Sequence, residues 1–352
     1  MKKENGIKRF KLFDYNRNGA GVSKSTSERQ RGSLKGFFIS YKDNIGKIIS
    51  VNIFMVLGNF PFIFLIAALA GFTKTSSFLP MNDVFQNLSA VFFTAPKDVG
   101  NMALYGLYGI QNELLVPTNT TYAFYGISAL TLFTFGFVNV GTAYILRNIA
   151  KGEPIFPWSD FWYAVKRNWQ QALVFGIIDG VIISVLCYNI YSMTTYGGVF
   201  FTDLMFWSNV VIFILYFFMR YYVYIQMVTF KLSVFKIIKN SLIFALLGFK
   251  QNILALLGII LLVGLNVSLF AVFGGYLISF AVALPLLLLL ASCAYMKVYA
   301  AYFKIKKIMI DPYLKDHPEE ASGFDADPLM HDDVSEKERI DEIKRRNGIP
   351  LE

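Results

Sequence analysis

The chain has 352 residues, of which 55% are hydrophobic, 17% aromatic and 16% charged. That balance excludes an ordinary soluble domain, which carries about a quarter charged residues, and several charge-poor runs reach bilayer-spanning length. The formal net charge of +9 does not indicate nucleic acid, because the basic residues gather beside the apolar segments, as orientation in a membrane requires.

Residues 1–33 are a polar, basic N-terminal segment, and the first apolar run starts only near Ile48, so no signal peptide is expected. Residues 34–303 read as the membrane domain and 304–352 as a polar tail. Six spans account for the apolar sequence, at about 48–72, 122–146, 172–193, 205–229, 251–273 and 276–299. The last two come from one charge-free run between Lys250 and Lys297, too long for a single helix and divided at Gly274-Gly275. The fold class expected is therefore an all-α integral membrane protein, six transmembrane helices arranged as three hairpins.

Between the first two spans lies the one sizeable outer segment, 73–121. Its "MNDVFQNLSAVFF" suits a surface helix and its "VPTNTT" a loop. The sequons at Asn87 and Asn119 read as chance matches in a bacterial protein. All Lys and Arg residues except Lys74 and Lys97 fall before the first span, in the 147–171 loop, in the stretch from Arg220 to Lys250 or from Lys297 onward. This asymmetry puts both termini in the cytoplasm.

The stretch "PWSDFWYAVKRNWQQALVFGII" ends the 147–171 loop. At 100° per residue Trp158, Phe161, Trp162, Val165 and Trp169 share about a third of the circumference, while Asp160, Arg167, Gln170 and Gln171 face away. An interfacial helix fits this pattern, with the Trp rings among the headgroups and Lys166 snorkelling at the edge. A soluble amphipathic helix packed on another loop gives the same pattern. Comparable segments precede the first and fifth spans, where Lys42-Asp43-Asn44 and Lys250-Gln251-Asn252 align with Lys166-Arg167-Asn168. Lys42, Lys166 and Lys250 are the expected anchors, and each Asn is placed to bond backbone freed at a bend. Either a triplicated unit of surface helix plus hairpin or a shared topological constraint accounts for the recurrence.

Inside the spans, Asp179 and Arg220 both fall about seven residues in, roughly 10 Å below the cytoplasmic edge. An ion pair across the third and fourth spans is expected; Arg220 snorkelling alone and a substrate or proton site are the alternatives. Asn52, Asn139 and Asn266 are the other intramembrane polar positions of interest. Cys187 and Cys293 lie within apolar segments and read as small core residues, with neither a disulfide framework nor a metal site implied. His317 and His331 lie in the tail, and no hydrolase, zinc or phosphate-loop motif occurs, so neither an enzyme nor a cofactor is expected. The tail beyond Lys307 reads as a disordered acidic stretch and a short solvated helix.

The blocks "VNIFMVLGNFP", "GTAYILRNIAKGEPIFPWSDFWYAVKRNWQQAL" and "MRYYVYIQMVTFKLSVFKIIKNSLIFALLGFKQNIL" resemble those of the YesL-like integral membrane proteins, a domain-of-unknown-function family of Gram-positive bacteria. The likeness spans about residues 35–300. It implies a multi-pass protein of the cytoplasmic membrane, and family members often stand near genes for carbohydrate uptake and breakdown. An accessory or regulatory role follows as an expectation, with a carbohydrate ABC importer or a cytoplasmic regulator as partner beside the lipid bilayer. The family brings no catalytic or binding residues, and the outer segment 73–121 is longer than in its compact members. The alternative is an autonomous small-solute transporter, which the repeat and the intramembrane polar residues favour. The Glu-Ala-Ala-type loop of sugar ABC permeases and the signature of three-repeat mitochondrial carriers are both missing.

Overall fold

A computed structural model describes residues 31–80, 111–195, 200–271 and 277–316. The described chain is helical apart from one antiparallel ribbon. In chain order it comprises α1 (Leu34–Asp43), α2 (Ile45–Gly58), α3 (Phe62–Leu69), β1 (Lys74–Pro80), β2 (Gln111–Pro117), α4 (Asn119–Ser128), α5 (Thr131–Lys151) and α6 (Pro157–Arg167). There follow α7 (Trp169–Thr195), α8 (Phe200–Thr229), α9 (Val234–Leu247), α10 (Phe249–Ala271), α11 (Ile278–Leu284), α12 (Leu290–Ile305) and α13 (Asp311–Asp316). Five helical runs are long and apolar enough to cross a membrane, six if α2 and α3 count as one bent span.

Several boundaries differ from the sequence expectation, each for a local reason. The first span is not straight. It turns by 63° between α2 and α3, where Pro61 offers no N–H and the Asn59 side chain bonds back to Met55 O at 3.0 Å. The second runs on to Lys151, placing Arg147 inside the helix rather than in a loop. It ends at Gly152, whose φ of 81° closes a left-handed cap. The last span does not stop near 299, because turns of π-helix at Pro285–Leu289 and Lys306–Ile310 carry it through α12 to α13. The start of the expected polar tail, 304–316, is thereby helical. "VPTNTT" is no loop: Pro117 closes β2, and Thr118 caps α4 through a capping box with Thr121. Both threonines bind Thr73 O, at 2.6 and 2.7 Å, tying α4 to the residue before β1.

The expected surface helix within 81–93, the Asn87 sequon, the Gly274-Gly275 turn, residues 1–30 and the tail from His317, including His331, lie outside the described residues.

The packed core occupies one end of the bundle, called here the basic end. There the C-terminal halves of α5 and α8 and most of α12 bury Ile145, Leu146, Tyr222, Ile225, Tyr295 and Tyr302. Central to it is α5, which packs on α2, α6, α7, α8 and α12. Toward the other end, α7, α8 and α10 present Val181, Tyr188, Trp207, Val211, Leu261 and Leu265 outward. Apolar exposure on that scale suits lipid, not water. Cys187 lies on this exposed surface and is not a core residue.

Glycines set the closest approach. Gly136 of α5 lies against Gly176 and the carbonyl of Ala172 on α7, and a Cβ at either glycine would strike the facing backbone. Ala172, Gly176 and Gly180 make a small-xxx-small row that lets the two helices meet backbone to backbone.

Candidate functional site

Polar side chains inside the bundle form two groups with different work. In the first, Arg220 Nε of α8 lies 2.7 Å from Asp179 Oδ1 of α7. The N–H is not aligned for a hydrogen bond, so the attraction is chiefly between the two charges. Tyr216 and Tyr224 donate to Asp179 Oδ1 and Oδ2 at 2.8 and 2.9 Å. The carboxylate, fully buried, thus meets two hydroxyl donors and one cation from one face of α8. Their spacing of four residues, Tyr216, Arg220 and Tyr224, is the helical signal that sequence reading missed. On its other side the Arg220 guanidinium stands 5.4 Å from the ring centre of Phe135 of α5. Lys297 of α12, counted earlier only as the end of a charge-free run, lies within the same span region. Its ammonium is 5.8 Å from the ring centre of Phe217.

The second group repairs a broken helix. Pro285 has no N–H to give to Ala281 O four residues back, and Asn266 Nδ2 of α10 donates to that carbonyl at 2.9 Å. Asn52 Nδ2 of α2 donates to Pro285 O and Leu286 O at 2.9 and 2.8 Å, and Asn52 Oδ1 accepts from the Ala291 N–H at 2.9 Å. Two of the three intramembrane asparagines therefore replace backbone bonds that a π turn and a proline remove. Asn139 is different: its amide bonds to Phe135 O of its own helix at 2.8 Å, and it lines a small cavity beside Arg220. Asn52→Leu is expected to lose about 1–3 kcal/mol by leaving the Ala291 N–H unpartnered in an apolar site. Unfolding in mild detergent measures it, and a loss below about 0.5 kcal/mol would mean the break does not need this side chain.

At the basic end, three short helices each join a longer one through a single residue. Asn44 separates α1 from α2, Asn168 separates α6 from α7 and Gly248 separates α9 from α10. Backbone angles at Asn44 (−118°, 19°) and Asn168 (−116°, 20°) nearly coincide, and those at Gly248 (−94°, 12°) are close. Asn44 and Asn168 donate to the carbonyls four residues back, Ser40 O and Ala164 O, both at 2.9 Å. Asn252, aligned with them by sequence, sits one turn past its bend. It reaches Ala245 O at 3.0 Å and accepts from Tyr222 OH at 2.8 Å. The hinge itself is Gly248, where a Cβ would collide with the Tyr222 hydroxyl.

The bend at Asn168 also divides the aromatic stripe. Trp169 begins α7 and is not on the helix that carries Trp158 and Trp162. Phe161, Ala164 and Val165 are buried, with Phe161 against Gly141 of α5 and stacked 4.8 Å from Phe54. The three tryptophans stay exposed, as do Lys42, Lys166 and Lys250. So the apolar side of α6 is shared between a protein-facing and an outward-facing part.

Two further arginines hold this end together. Arg147, buried, forks onto Asn148 Oδ1 at 3.1 and 2.8 Å and donates to Val228 O at 2.9 Å. Arg167 donates to the same carbonyl at 2.8 Å. Two cations thus meet the C-terminus of α8, whose last carbonyls lack helical partners and carry its negative dipole end. Beside them Lys166, Arg167, Gln171 and Lys231 line a basic cleft of about 300 Å3. Among the described residues no group of three or more His, Cys, Asp or Glu residues is placed to hold a metal ion.

Residues 115–190, from the end of β2 through most of α7, match the family described as "Protein of unknown function, DUF624". The matched region contains the Gly136–Gly176 approach, Arg147, α6 and Asp179. No curated protein matches the chain, and no solved structure matches it.

Proposed function

We propose that this protein is a non-enzymatic, multi-pass component of the cytoplasmic membrane, with both termini in the cytoplasm, that serves as an accessory or regulatory partner in carbohydrate uptake. The observation that carries the reading is the commitment of the interior. Asp179 is held by Arg220 and two tyrosines, Asn52 and Asn266 are spent on the Pro285 break, and the cavity beside Arg220 measures about 40 Å3. One water needs about 10–15 Å3, so that space suits an ion or a water or two and not a sugar. Support for carbohydrate uptake is the resemblance to YesL-like proteins; the DUF624 match is in keeping with it but carries no activity.

On this reading α1, α6 and α9 lie on the cytoplasmic membrane surface, and the three single-residue bends are the joints of a triplicated hairpin unit. The partner, a carbohydrate ABC importer or a cytoplasmic regulator, presents an acidic surface to the cleft lined by Lys166 and Lys231 and to the exposed Lys239. Arg167 is a poor probe of that surface, because its guanidinium also ties Val228 O and stands 5.0 Å from the Tyr163 ring centre. The double charge reversal Lys166→Glu, Lys239→Glu is expected to impair carbohydrate-dependent growth severalfold more than Asp179→Asn at matched membrane levels. The second reading, an autonomous small-solute transporter, is favoured by one observation, the cations Arg220 and Lys297 on a cavity wall. Solute movement by the purified protein in liposomes, abolished by Asp179→Asn and indifferent to the surface reversals, would make it the better one.

A further inference from the structure

The cavity between α2, α5, α8 and α12 has an unusual wall. Arg220, Tyr221 and Lys297 line it, with Asn139 and Thr142 alongside, and no carboxylate does. Tyr221 is 3% exposed and its hydroxyl has no hydrogen-bond partner. Among the described residues, Lys297 has neither an ion pair nor a hydrogen bond, only the Phe217 ring 5.8 Å away. Arg220 meets Asp179 through Nε alone. The nearby carboxylate is already engaged, since both Asp179 oxygens accept hydrogen bonds from tyrosine hydroxyls, and the Thr142 hydroxyl spends its proton on Val138 O at 2.7 Å. Two cations thus have one carboxylate between them, and the acceptors on the cavity wall, the Asn139 amide oxygen and the Thr142 and Tyr224 hydroxyls, are all neutral.

We propose that this cavity holds a small monovalent anion, with chloride its simplest occupant. Charge decides between an anion and water alone. Water accepts hydrogen bonds from Tyr221 and Lys297 but leaves the charge of a protonated Lys297 uncompensated inside a low-dielectric bundle, where a buried ammonium either pairs with an anion or gives up its proton. An anion accepts from all three donors and brings the cluster to neutrality. A volume of about 40 Å3 exceeds the roughly 10–15 Å3 that one water requires. It leaves no room for a carbohydrate or a phosphate ester. The anion bridges α8 and α12 through Arg220, Tyr221 and Lys297. This assignment stands whether or not the accessory role does.

The test is thermal unfolding of the purified full-length protein in detergent, with sodium gluconate exchanged for sodium chloride or bromide at constant ionic strength. The melting temperature is expected to rise by several degrees and to saturate with either halide, as ligand linkage requires. Lys297→Met removes the uncompensated charge, so it should lose the halide response while melting in gluconate no lower than the parent. Tyr221→Phe keeps the charge and loses one donor, and the halide midpoint should shift upward severalfold. Anomalous scattering from bromide-grown crystals of the unaltered protein gives a reading independent of both variants and should place one peak between Arg220 and Lys297. Equal melting in gluconate and halide, an unsaturable rise shared by Lys297→Met, or a cavity without bromide would each overturn the proposal.

Discussion

Asp179→Ala is expected to destabilise the protein by about 3–5 kcal/mol, the usual cost of removing one member of a buried ion pair. The loss is large because the change strands several groups at once. Arg220 keeps its charge in the bundle without its carboxylate, and the hydroxyls of Tyr216 and Tyr224 lose their acceptor. Arg220→Ala should cost less, since the carboxylate keeps both tyrosine donors. The double substitution should fall well short of the sum of the two, by at least about 1 kcal/mol, because each single change strands the other member of the pair and the double change strands neither. Unfolding in mild detergent, read alongside membrane levels in cells, measures all three. Strictly additive losses would mean that the 2.7 Å approach contributes no coupling.

The second large effect lies at the α5–α7 crossing. Gly176→Leu should cost about 3 kcal/mol or more and remove most protein from the membrane, because overpacking is severe where the obstacle is backbone and not a movable side chain. A Cβ at Gly176 would lie 2.7 Å from Gly136 Cα, so the helices must separate, drawing Asp179 away from Phe135 and α5. Gly264→Leu is the matched control on α10, where an added Cβ meets nothing within 4 Å. It should leave stability within about 0.5 kcal/mol, as surface substitutions generally do. Equal losses at the two positions would show that bulk alone, and not the close crossing, governs the response.

The succession of apolar runs was legible in the sequence, five as helical runs long enough to span and the first as a bent pair, because apolar length is a local property that the bilayer imposes on every span. So were the recurring bends: a polar side chain that caps a helix bonds within a few residues of itself, as Asn44 and Asn168 do. The third bend was misplaced by one turn for the same reason in reverse. Gly248 is demanded there by Tyr222 of another helix, and a sequence window cannot contain that hydroxyl. Asp179 and Arg220 stood out because charges are rare within spans. The roles of Asn52 and Asn266 did not, since they are set by the vacancy that Pro285 leaves in a helix 233 and 15 residues away, respectively.

Two things, then, were determined by the sequence alone: that the chain is built of membrane-length apolar helices, and where two of the three short helices at the basic end turn into longer ones. Tertiary structure decided which polar groups are structural and which are left facing a cavity. Asn52 became a backbone surrogate, Arg147 and Arg167 became caps on α8, and Lys297 was brought with Arg220 and Tyr221 to one wall. The physical reason is that a polar group in an apolar interior is defined by its partner, and here the partners come from helices far apart in the chain.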